Sequence, residues 1–405
     1  MVSRIFNDAI RPWVDARLSR ATPGLPTLVL VGAQPGAGKT RAVSRASQET
    51  GAAVTVVGDD LRRFHPDYGQ VMREDPLRMP EVTAQAAGAW ARMSSDYLRE
   101  RGASVVFETT FRQPDAVVAT AKEFRDAGYR VEVRALAVPE AVSRLGVLSR
   151  YAEQVRDQGA GRWTPQSFHD VAAEQMPKSL ERVIAEGHVD RVLVVDRPGR
   201  TLYTADIDTA AASAPGARDG ADARAAVKAG RRLERLDETT ARSWVGTLDR
   251  DANFVLDRAD IGSDVLATID DLRRDAGQVA AIAYARDSPS LARAEADLAV
   301  LGVRTSAARD HLQHQAQQVQ TQALGPQAQG RGTEAQRPVL DAAQDRAGSP
   351  PFPSRGPIEN AGRTLDPGVA SRLGSRLNTS LESRPPQRGP ASSARGARET
   401  DSLDR

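Results

Sequence analysis

The run Ala33-Gln34-Pro35-Gly36-Ala37-Gly38-Lys39-Thr40 constrains the fold of this chain more than any other feature. It is a glycine-rich loop ending in Lys-Thr, with alanine in the first position where glycine is usual. A short apolar run, 26–32, precedes it, and a helix-like run, 41–46, follows it. Strand, glycine-rich loop and helix in that order form a phosphate-binding loop, whose backbone N–H groups cradle phosphates at a helix N-terminus. Lysine is scarce: only Lys39, Lys122, Lys178 and Lys228 occur, and arginine does the other basic work. One of them stands where a compact ammonium must reach the β- and γ-phosphates, a task a planar guanidinium does not perform. Ala33 to Thr40 are thus the expected nucleotide-binding residues, with the Thr40 hydroxyl on Mg²⁺.

Length and composition narrow the class. A chain of 405 residues suggests more than one domain. It has no cysteine, which excludes disulfides and thiolate metal sites. The net charge of +2, without a block of like charge, gives no support to a nucleic-acid partner, and none is expected. No apolar run reaches the roughly 20 residues a membrane span needs, so a cytoplasmic protein without a membrane partner is expected.

The organisation follows from alternating patterns. Ile5, Ile10, Trp13, Val14 and Leu18 fit one face of a helix within residues 1–25. From 26 to 206, strand-like runs at 28–31, 54–57, 105–107, 131–137, 192–195 and 201–204 alternate with helix-length segments at 40–48, 81–99, 114–127, 139–156 and 165–186. This predicts an α/β domain, a parallel sheet flanked by helices with right-handed crossovers. Residues 207–221 read as a linker. Residues 222–324 are helical in pattern, with apolar residues at three- and four-residue spacing. The tail, 325–405, carries too few large apolar residues to offset chain entropy and reads as disordered. Because every candidate catalytic element precedes Asp206, a chain cut there is expected to fold and act.

Ligands of open parallel sheets bind beyond the carboxyl ends of the strands. The second strand ends in Gly58-Asp59-Asp60-Leu61-Arg62, followed by His65-Pro66. Asp59 is placed to accept a hydroxyl proton during phosphoryl transfer; a metal-ligating or capping role is the alternative, with Asp60 the better cap. The third strand ends in Glu108-Thr109-Thr110-Phe111-Arg112. Polar groups there are costly unless they meet a ligand or one another. Glu108 and Arg112 either face an acceptor or pair with each other. Arg150 and Arg162 flank the Gly159–Gly161 loop and resemble a lid that would bring guanidinium groups onto the transferring phosphate.

These elements, in this order, resemble the zeta toxin family. The resemblance rests on Gln34 to Thr40, on Asp59-Asp60-Leu61-Arg62 with His65-Pro66, on Glu108 to Arg112, on Ser149-Arg150-Tyr151, and on Arg162-Trp163-Thr164-Pro165 with His169-Asp170. It covers residues 20–206. It implies ATP-dependent phosphorylation of the sugar 3′-hydroxyl of UDP-N-acetylglucosamine by a toxin with a helical antitoxin partner. Carried across, Lys39 and Thr40 serve ATP and Mg²⁺, and Asp59 is the base. Arg62, His65, Glu108, Thr110 and Arg112 face the acceptor, and Arg150 and Arg162 clamp phosphates. Ala33 departs from the usual loop, and the family core does not require the C-terminal half. A kinase for another small-molecule or nucleic-acid hydroxyl is the runner-up. A nucleotide-gated regulatory module, with residues 222–324 as its effector, is a reading of another class.

Overall fold

The computed structural model describes residues 1–18, 24–51, 54–207, 220–258 and 261–323, with the side chains of 320–323 excepted. The tail read as disordered, and most of the segment read as a linker, lie outside them. Helices α1 (Val2–Ile5) and α2 (Arg11–Leu18) flank a π-helical turn, Phe6–Ile10. Then follow β1 (Thr27–Gly32), α3 (Lys39–Thr50), β2 (Val54–Val57), the short helices α4 (Gly58–Leu61) and α5 (Tyr68–Glu74), and α6 (Met79–Glu100). Next come β3 (Val105–Thr109), α7 (Pro114–Asp126), β4 (Arg130–Leu136), α8 (Glu140–Gln158), α9 (Gln166–Ala185), β5 (Arg191–Val195) and β6 (Thr201–Asp206). Four helices close the described chain: α10 (Ala221–Gly230), α11 (Glu238–Leu256), α12 (Ser263–Ala283) and α13 (Pro289–Ala323).

The strands form one sheet in the order β2-β3-β1-β4-β5-β6. β1 to β5 run parallel, as the alternation of strands and helices predicts. β6 departs from this and pairs antiparallel with β5. The reason is length. Only Asp196 to Arg200 connects the two strands, closed by Asp196 N–H donating to Arg200 O at 3.0 Å. That is far too short for the crossover a parallel partner needs. Helices α4 and α5, between the runs 54–57 and 81–99, carry too few residues to show a period in the sequence.

Both faces of the sheet are covered, which is why the strands read as continuous apolar runs. Leu28 and Leu30 bury with Val105, Val131 and Val133 against α6 and α7, together with Ile10 and Val14 of the N-terminal segment. The Trp90 indole donates to Val2 O at 3.0 Å and ties that segment to α6. Val29 and Val31 face the other way, toward α3 and α8.

The described residues all fall within one compact unit. Leu148, Ala152 and Val155 of α8 bury in one cluster with Trp244, Leu248, Ala252 and Val255 of α11 and Ile269 and Leu272 of α12. The Trp244 indole donates to Ala141 O at 3.1 Å. The structure therefore changes the outcome expected for a chain cut after Asp206: periodicity shows that a helix has an apolar face but not what covers it.

One buried carboxylate anchors this joint. The Asp251 side chain is fully buried and accepts from Arg156 at 2.8 Å and Arg250 at 3.0 Å. Burial alone would push its carboxyl up, but the hydrogen bonds from Arg250, Ser149 and Arg156 hold it below the ordinary carboxylate range. Asp251→Ala is expected to cost about 3 kcal/mol, the low end for a broken buried pair, because Arg156 is 30% exposed and can rehydrate. Denaturant titration measures it. A depressed carboxyl contributes stability above its unfolded pKa and loses it as pH falls through the folded one. The gap between wild type and variant is therefore expected to narrow in acid.

Candidate active site

The site begins where β1 stops. Gly36 and Gly38 have φ of +75° and +92°, a left-handed backbone that glycine adopts without a Cβ clash. At Gly36 a Cβ would also stand 2.0 Å from Ser143 O of α8. The two glycines turn the loop so that α3 opens at Lys39, its N-terminus facing the loop. From behind, the loop is held by Gln34, whose Nε2 donates to Val138 O at 2.8 Å and to Ser143 Oγ at 3.2 Å. Arg231, beyond α10, donates to Gln34 Oε1 at 2.9 Å. Ser143 Oγ meets His169 Nε2 at 2.8 Å, and His169 Nδ1 meets Asp170 at 2.8 Å. This Ser-His-Asp line is buried behind the loop, with Ser143 and His169 0% and 2% exposed. It braces α8 and α9 and presents no nucleophile to a ligand.

Lys39 Nζ donates to Ala33 O at 3.1 Å and Gln34 O at 3.2 Å, and lies 3.8 Å from Glu108 Oε1. Burial pulls the Lys39 ammonium below its usual range, against the pull of Glu108 and Asp59. Burial also pushes the Glu108 carboxyl up, with Lys39 opposing. Glu108 thus faces Lys39, while Arg112 lies over the Phe168 ring at 4.9 Å.

Asp59, at the carboxyl end of β2, carries two ion pairs: Oδ1 with Arg62 Nε at 2.9 Å, and Oδ2 with Arg162 Nη2 at 3.0 Å. Burial would raise its carboxyl, but Arg162 and Arg62 outweigh it and hold it below the carboxylate range. Arg62 is itself fixed by Pro80 O and Thr83 Oγ1 at 3.0 and 2.8 Å. Neither Asp59 nor Asp60 caps α4 through its side chain. Arg150 donates to Thr164 Oγ1 at 2.5 Å. Its Nε is buried without a hydrogen-bond partner among the described residues, and burial and Arg162 lower its guanidinium below the usual range. Such a cation is placed for an anion.

Pro35, Lys39, Asp59, Arg62, Glu108, Thr110, Arg112, Arg150 and Arg162 line one cavity of about 290 Å³. His65 does not: its ring packs against Trp90 at 6.4 Å, and its Nδ1 accepts from Asp67 N–H at 3.2 Å. Ala33 and Gln34 bury their side chains behind the loop and offer it backbone only. Thr40 opens on a separate surface depression, with Arg41 and Ser44. Sequence reasoning missed the opposite wall, formed by Pro80, Ala84, Ala87, Gly88 and Ala91 of α6 with Phe168. Its signal was small residues at three- and four-residue spacing, which mark one helix face. Among the described residues no cluster of three or more His, Cys, Asp or Glu could hold a metal, and no helix is long and apolar enough to cross a membrane.

The phosphate cradle fits a nucleoside triphosphate, on the two left-handed glycines and the orphaned Arg150 Nε. A divalent ion would be held chiefly by the nucleotide's own phosphates, with the Thr40 hydroxyl at the adjoining start of α3 as the protein ligand.

Residues 14–208 match the family model described as Zeta toxin. Toxin zeta of Streptococcus agalactiae is 28% identical over 181 residues, 44% of this chain and 63% of that protein. Toxin zeta of Enterococcus hirae is 30% identical over 184 residues, with the same coverage. Toxin PezT of Streptococcus pneumoniae is 27% identical over 191 residues, 46% of this chain and 75% of that protein. The chain thus spans 63% of the length of the two zeta toxins it matches. A solved structure from the PezAT chromosomal toxin–antitoxin system of Streptococcus pneumoniae superimposes with a TM-score of 0.51 at 20% identity, over 63% of this chain and 98% of that one, a likeness of fold. Over its residues 14–208, the chain is similar to the zeta toxin family.

Proposed function

We propose that this chain is the toxin of a toxin–antitoxin pair, an ATP-dependent kinase acting on the sugar 3′-hydroxyl of UDP-N-acetylglucosamine. The observation that carries the reading is one cavity at the phosphate loop holding a carboxylate at a strand end, Lys39, and four arginines, Arg62, Arg112, Arg150 and Arg162. Phosphoryl transfer asks for that set: a group that takes a hydroxyl proton, and fixed cations for charge spread over the transferring oxygens. Lys39 and the loop N–H groups hold the β- and γ-phosphates. A bound Mg²⁺ would neutralise phosphate charge beside Thr40. The acceptor oxygen forms its bond to the γ-phosphorus as the bond to the β-phosphate oxygen breaks, and Asp59 accepts the hydroxyl proton. Its pairs with Arg62 and Arg162 keep it ionised at neutral pH. As phosphates draw Arg162 away, the carboxylate gains basicity where the proton is released. Arg112 and Arg62 suit the anionic diphosphate of a sugar nucleotide, and the α6 wall, which carries no charge, suits its sugar. The relatives named as toxins, and the structure from the PezAT system, support a protein antitoxin as partner.

Incubation with ATP, Mg²⁺ and a panel of hydroxyl acceptors, followed by mass spectrometry, tests the reading. A phosphorylated UDP-N-acetylglucosamine is expected. Product from another acceptor alone would favour the wider kinase reading, and binding of ATP without any product would favour a nucleotide-gated module. Asp59→Asn is expected to lower kcat ~10²-fold or more with little change in ATP affinity, the loss typical of a general base. If ATP–Mg²⁺ affinity collapses instead, Asp59 serves the metal.

A further inference from the structure

We infer that Asp264, in the first turn of α12, is a positioning residue for the stretch that carries Arg162. The kinetic part of this inference rests on the kinase reading above. Asp264 lies outside the matched segment 14–208. Its Oδ2 accepts from the Trp163 indole N–H at 2.6 Å and from the Gln166 backbone N–H at 3.0 Å. Trp163 follows Arg162 directly, and Gln166 is the first residue of α9. One carboxylate oxygen therefore pins both ends of a stretch whose side chains reach the cavity.

Within that stretch Arg162 reaches Asp59 at 3.0 Å, and Thr164 receives Arg150 at 2.5 Å. Moving the stretch moves both proposed phosphate clamps. The Trp163 ring, 3% exposed, stands edge-on to Tyr151 at 5.4 Å and carries the hold at Asp264 into the cavity wall. The carboxylate also sits at the N-terminus of α9, where negative charge is favoured. A second attachment comes from the same helix. Gln166 Nε2 donates to Asp271, and Arg144 of α8 lies 4.0 Å from Asp271 and 3.5 Å from Asp275. The stretch that follows the Gly159–Gly161 loop is thus gripped by α12. Its grip is separate from the phosphate loop, which Arg231 holds through Gln34.

The experiment uses the full chain with Asp264→Ala, Asp264→Asn and Trp163→Phe. Amide hydrogen exchange is followed over residues 157–168 and 33–40, and ATP turnover is measured alongside. In Asp264→Ala, exchange at 157–168 is expected to quicken while 33–40 stays as in wild type. kcat is expected to fall ~10²-fold, the penalty of misplaced catalytic groups, while KM for ATP changes less than ~2-fold because the loop binding it is untouched. Asp264→Asn keeps an acceptor oxygen and is expected to recover most of the loss. Trp163→Phe, which lacks the indole N–H, should add little when combined with Asp264→Ala. Unchanged exchange at 157–168, undiminished kcat in both Asp264→Ala and Trp163→Phe, or quickened exchange throughout the chain would each overturn the inference. Exchange needs no substrate. A wild type that turns over no ATP would sink the kinase reading, while the exchange result still decides whether Asp264 holds the stretch.

Discussion

Lys39→Ala is expected to reduce phosphoryl transfer ~10³-fold or more, the upper range for loss of one fixed electrostatic group in an active site. The ammonium stands between the loop carbonyls of Ala33 and Gln34 and the Glu108 carboxylate. Its removal takes away the charge meant for the phosphates and leaves Glu108 without its cation. The fold should persist, since the substitution leaves the apolar clusters on both faces of the sheet in place. Circular dichroism with a turnover assay separates the two effects. Lys39→Arg is expected to fail nearly as badly, because a planar fork cannot occupy the place of a point charge. Full turnover in Lys39→Arg would remove this lysine from the nucleotide.

A chain ending at Asp206 is expected to lose its fold. The cut strips α11 and α12 from the cluster they share with α8, which leaves Leu145, Leu148, Val155 and Trp163 facing water on one side. At ~2 kcal/mol for each large apolar side chain fully exposed, the loss reaches at most ~8 kcal/mol. That is comparable with the ~5–15 kcal/mol by which a whole domain is stable. The cut also removes the partners of Arg156, Trp163 and Gln34, namely Asp251, Asp264 and Arg231. Aggregation on expression, or light scattering without a cooperative melt, would match this. A monodisperse shortened chain with wild-type turnover would show that α8 tolerates exposure and that the helical half is an accessory.

Several features were legible in the sequence because they are local. The phosphate loop needs glycines at fixed places and a Lys-Thr pair, and a contiguous run carries all of that. The five parallel strands showed because burial on both faces leaves an unbroken apolar run. Asp59, Glu108 and Arg112 could be named as strand-end residues because a polar group following such a run must leave the sheet at its edge. Residue type did not distinguish His65 from them. It lies next to the same strand end in sequence, yet its ring turns to Trp90 and away from the cavity.

Tertiary structure alone decided the rest, because those relations join residues far apart in the chain. Arg162 meets Asp59, Arg231 meets Gln34, and Asp264 meets Trp163, each across a hundred residues or more. No periodicity carries such a partnership. In a chain with so many arginines, the residue type says nothing about which ones reach the cavity. The sequence determined a nucleotide-type loop at the end of a parallel sheet and the side chains offered at the strand ends. Packing of α8 against α11 and α12 decided that the C-terminal helices are part of the same core, since an apolar helix face is stable only against a surface that matches it.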